Sequence, residues 1–117
     1  MAMETGPEQR AELRRYGIST EEAQALNDLT GGGGQPVGRG ASAKLVQKLV
    51  DEGFAERVVR DGRELIRKTL AGNAVLNALG DASRMDGAKR NGDPERLAEA
   101  TSRREASRED VRRYRTP

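Results

Sequence analysis

Thirteen of the chain's twenty Leu, Ile, Val and Phe residues lie between positions 44 and 79, and only Leu97 and Val111 follow Gly80. Burial of such side chains is the main force that closes a fold. The distribution therefore predicts one collapsing segment, 44–79, between two polar flanks. At 117 residues the chain has room for one small domain and its tails.

Cys and His are both absent. Disulfides, thiolate nucleophiles, imidazole bases and Cys/His zinc sites are thereby excluded. No cluster of carboxylates, Ser or Tyr stands out in their place. The sequence thus reads as a small intracellular binding protein and not as a self-contained enzyme. No apolar run approaches the roughly 18 residues of a membrane span, and the start lacks a basic-then-apolar signal pattern, so no membrane role is expected and the cytosol is. Seventeen Arg against four Lys, with abundant Ala and Gly, is the usage of a high-GC bacterium or its phage.

Formal net charge is +2, and it is spread unevenly: 41–79 carries seven bases against five acids, and 80–117 carries ten against eight. Neither segment is a polybasic block, so bulk charge argues only weakly for nucleic acid.

Local signals divide the chain further. Pro7 and Gly17 bracket a short helix over 7–15. Ser19 with Glu22 three residues on is a capping box, and Ala23, Leu26 and Leu29 form an apolar stripe, which predicts a helix over 20–29. Six glycines and Pro36 make 30–40 a loop. Gly33-x4-Gly38-Arg39 has the outline of a phosphate-binding loop. That motif needs a strand before it and Lys-Ser/Thr after the last Gly, where this chain has Arg39-Gly40.

Ser42 reads as the cap of the best-defined helix, with Leu45, Val46, Leu49 and Val50 on its buried face and Lys44, Gln47, Lys48 and Asp51 opposite. Gly53 supplies a left-handed stop and Phe54 folds back on the helix end. Asp61-Gly62 between 56–60 and 63–69 is a two-residue hairpin turn. It pairs Val58 with Leu65, Arg57 with Ile66 and Glu56 with Arg67, the Val58–Leu65 pair facing the core. Thr69 caps a last core helix that ends at Gly80. Residues 81–91 read as a linker. Asp93-Pro94-Glu95 then starts a helix with the ion pairs Glu99–Arg103 and Glu109–Arg113, frayed or docked on a partner.

The stretch Leu45-Val-x-x-Leu49-Val-x-x-Gly53-Phe54, Val58-Val59, Asp61-Gly62, Leu65 to Thr69-Leu-Ala-Gly72-x-x-Val75-Leu76 resembles the winged helix-turn-helix family. The resemblance covers about 60 residues, from Ile18 to Leu79. It implies a mainly α fold with a small β-hairpin: an N-terminal segment 1–17, a winged-helix-like domain 18–79, and a linker and charged helical tail 80–117. One departure is that the family's second helix would fall on the glycine-rich 30–41. Tyr16-Gly17-Ile18-Ser19-x-Glu21-Glu22 is also similar to the lead-in of phage HNH recombination endonucleases. That family's metal-binding Cys and catalytic His are missing, so the match reads as a capped helix start.

On the winged-helix resemblance the partner is DNA and the chain is a small transcriptional regulator or accessory factor without cofactor or metal. Its contacting set is Arg39, Ser42, Lys44, Gln47, Lys48, Arg60 and Arg63: Gln47 to read an adenine edge, Lys a guanine edge or phosphate, and the arginines to hold phosphates. The alternative is a protein-interaction adaptor or inhibitor, binding a host or virion protein through its core or its tail, 94–115. A core this small supplies about 3–5 kcal/mol, which leaves room for a homodimer.

Overall fold

Residues 6–29, 34–36 and 41–115 are described by a computed structural model. Among them are five helices: α1 (Pro7–Tyr16), α2 (Thr20–Asp28), α3 (Ala41–Asp51), α4 (Leu70–Arg90) and α5 (Pro94–Arg115). Strands β1 (Gln35–Pro36), β2 (Ala55–Arg60) and β3 (Arg63–Lys68) form an antiparallel sheet in the order β1-β3-β2. The fold is mainly α with a small β-sheet, as the local signals predict. Apart from residues 34–36, the loop expected over 30–40 lies outside the described residues.

Each boundary has a local cause. Ser19 and Glu22 exchange both bonds of the capping box. The Thr69 hydroxyl accepts from the Gly72 N–H at 3.0 Å to open α4. The Asp93 carboxylate accepts from the Arg96 N–H at 3.1 Å to open α5. Asp61 and Gly62 have φ of 53° and 74°, the positive pair that a two-residue hairpin turn needs. The register is the one expected: Val58 faces Leu65, Arg57 faces Ile66 and Glu56 faces Arg67.

Three local expectations are corrected. The core-facing hairpin residues are Ala55 and Ile66, on the face shared with Arg57, whereas Val58 and Leu65 are half-buried on the other side beside Gly34. Residues 35–36, inside the expected loop, form a strand against Leu65 and Ile66. Ser42 lies within α3 rather than before it.

The largest correction concerns the core and the tail. Helix α4 does not stop at Gly80 but runs through the expected linker to Arg90. A buried stripe of Ala71, Ala74, Val75, Ala78, Ala82 and Met85 follows helical spacing along it. Helix α5 packs along α4 and buries Ala100 and Val111. The core is therefore not confined to 44–79: Leu13, Tyr16, Leu26, Met85 and Val111 all belong to the buried interior. Alanine carries this packing, because its small side chain lets two helices approach closely.

Ion pairs seal α1 against α5. Glu12 is fully buried, and both its carboxylate oxygens accept from the Arg108 guanidinium. Glu8 holds Arg104 at 2.7 Å and Lys89 at 2.6 Å. The Asp86 carboxylate of α4 accepts from the first free amides of α1, Glu8 at 3.0 Å and Gln9 at 3.1 Å. Farther along α5, Glu99 pairs with Arg103 as expected, but Glu109 takes Arg112 and Asp110 takes Arg113.

Gly72 shows packing overriding propensity. Alanine is the better helix former by about 1 kcal/mol. A Cβ at position 72 would sit 2.0 Å from the Phe54 carbonyl oxygen, a backbone atom with no rotamer to relieve it. We expect Gly72→Ala to destabilise the protein by a net 2–3 kcal/mol or so in urea unfolding. A gain in stability would contradict this packing.

Candidate nucleic-acid interface

The surface to test is the exposed side of α3 with the β2–β3 hairpin. Leu49 and Val46 turn inward from α3, which leaves Lys44, Gln47 and Lys48 in solvent. The chain reverses at Gly53, in the left-handed region at φ 83°, and the Phe54 N–H returns to the Leu49 carbonyl at 2.9 Å. β2 therefore runs back alongside the helix. An Arg57 side-chain hydrogen bond to Gln47 Oε1 ties the two together. Travelling away from Gly53, the helix leads from Gln47 to Lys44 and the hairpin from Arg57 to Arg60. Lys44, Arg60 and Arg63 thus lie toward the same end of the unit.

The candidate residues fall into three groups. Lys44, Arg60 and Arg63 are exposed and have no ion-pair partner among the described residues. Lys48 and Gln47 are engaged within the fold. Lys48 Nζ donates to Glu22 Oε1 at 3.0 Å and to the Gly17 carbonyl at 3.4 Å, which holds α3 to α2. Burial pushes the Glu22 carboxyl up, but hydrogen bonds from Lys48 and Ser19 outweigh it and hold it below its ordinary value. That carboxylate stays charged at neutral pH and keeps Lys48. Gln47 donates to Asp51 at 2.8 Å while accepting from Arg57, so both ends of its amide are occupied. Arg39 and the Ser42 side chain lie outside the described residues.

Arg57, absent from the expected set, is the residue that fixes the hairpin to α3. Its guanidinium also meets Glu64 at 2.7 Å. The expected register set Arg57 opposite Ile66 but gave the core to the opposite face of the hairpin, and that misassignment hid the contact. Among the described residues no group of three or more acidic side chains is placed to hold a metal ion, and no helix is long and apolar enough to cross a membrane. Comparison with protein-family models, with curated proteins and with solved structures finds no match to this chain.

Proposed function

We propose that the chain is a DNA-binding protein of winged-helix type, with α3 as its recognition helix and the β2–β3 hairpin as its wing. The observation that carries the reading is that Lys44, Arg60 and Arg63 are exposed and without an ion-pair partner among the described residues, on a helix and a hairpin joined directly through Gly53-Phe54. Cations so placed can neutralise phosphates across a groove without disturbing the fold. Further support comes from the strand order β1-β3-β2 and from the direct step from α3 through Gly53-Phe54 into β2. Because the Gln47 amide is occupied, the reading assigns to this surface backbone contact rather than adenine recognition.

The test is a salt titration of binding to a random-sequence duplex, followed by fluorescence anisotropy. Each phosphate contact contributes about 0.9 to the log–log slope. The triple variant Lys44→Gln, Arg60→Gln, Arg63→Gln is expected to lower the slope by about 2.7 and the affinity by roughly two orders of magnitude at low salt. Lys48→Gln is expected to leave the slope nearly unchanged, since Glu22 already holds that ammonium. Equal slopes for parent and triple variant would move the interface elsewhere. No binding by the parent would favour the adaptor reading, for which the exposed Leu70 and Tyr114, lining one cleft, offer the apolar contact.

A further inference from the structure

β2 is the outer strand of the sheet, and nothing among the described residues pairs with its free side. A two-residue turn closes on Arg60 and Arg63 as a hydrogen-bonded pair, and such pairs alternate along an antiparallel ladder. Val58 and Glu56 therefore bond inward to β3. The N–H and C=O groups of Arg57 and Val59 point outward as a ready template for another strand. Among the described residues Val59 is also the most exposed large apolar side chain, at 73%.

Edge strands commonly avoid pairing by carrying charges that repel a second copy. This edge does the reverse. With a two-fold axis through Val58, antiparallel pairing sets Arg57 opposite the second copy's Val59 and Val59 opposite its Arg57, each pair exchanging backbone hydrogen bonds. On the other face Val58 meets Val58, flanked on both sides by Glu56 opposite the second copy's Arg60. Opposite charges directly across a ladder are favourable. The register brings the second copy's turn level with Gly53 and Ala55. We propose that the chain forms a two-fold dimer by joining β2 edge to edge, with reciprocal Glu56–Arg60 pairs setting the register. This inference does not rest on the DNA-binding reading and is tested without DNA; because the dimer draws Arg60 into its pairs with Glu56, dimer and DNA compete for that side chain.

Sedimentation equilibrium on the full chain is expected to show the 12.7 kDa species passing to twice that mass, with a dissociation constant on the order of 10–100 µM for so small an interface. Val59→Pro removes an outward N–H but no bond of the hairpin, so it should fold and remain monomeric. Circular dichroism and melting check its fold. Glu56→Arg and Arg60→Glu should each stay monomeric alone, through like-charge pairs, and associate at least tenfold more tightly when mixed in equal amounts, since every cross-copy pair is then complementary. A parent that stays monomeric at several hundred micromolar overturns the proposal. So does a folded Val59→Pro variant that dimerises like the parent, or a mixture that associates no better than its components.

Discussion

Arg108→Ala is expected to destabilise the protein by about 3–5 kcal/mol, because it strips the direct partner from a buried carboxylate. Glu12 has no exposure to solvent, and its other neighbouring cation, Arg104, approaches only to 4.0 Å while serving Glu8 at 2.7 Å. The lost interaction cannot be replaced by water without opening the seam between α1 and α5. Arg103→Ala is the matched control: its pair with Glu99 is mostly exposed on both sides and should be worth less than about 1 kcal/mol. Urea midpoints of the two variants measure the difference. A loss for Arg108→Ala as small as for Arg103→Ala would mean that α5 is not docked on α1.

Leu49→Ala should cost about 2–5 kcal/mol, the range for deleting a fully buried leucine. Its side chain has no exposure, and its backbone carbonyl receives the Phe54 N–H that turns α3 into β2. Behind it Phe54 is fully buried, with Tyr16 edge-on at 6.4 Å and the Arg115 guanidinium 4.8 Å from the ring centroid. A cavity at position 49 therefore loosens contacts that reach from α1 to the end of α5. For a domain this small the loss takes a large fraction of the total stability. A melting temperature within a degree or two of the parent would show that the inward face of α3 is misassigned.

The elements legible in the sequence were those with chemistry written into a few adjacent residues. Ser19-x-x-Glu22, Gly53-Phe54, Asp61-Gly62 and Asp93-Pro94 each state a backbone requirement, and each appears where expected. What escaped was packing between distant segments. The α4–α5 contact rests on alanines, which a census of large aliphatic side chains does not count, and Gly80 sits harmlessly within α4 with nothing near enough to meet a Cβ. The seam of Glu8 and Glu12 against Arg104 and Arg108 joins residues about 96 positions apart. Its only trace is matching i,i+4 spacing on two helices, which an exposed charged surface shows as well. At the candidate interface, helical periodicity found which side chains leave the core. It did not reveal that Lys48 and Gln47, once outside, are engaged by Glu22, Asp51 and Arg57.

Titrating the isotopically labelled chain with a short random-sequence duplex, and following each backbone amide by NMR, tests the proposed interface most directly. The largest shifts are expected on Lys44 and its neighbours in α3 and on the hairpin tip from 58 to 65, while 94–115 stays in place. Shifts confined to α5, or none with duplex in excess, would contradict the proposed interface.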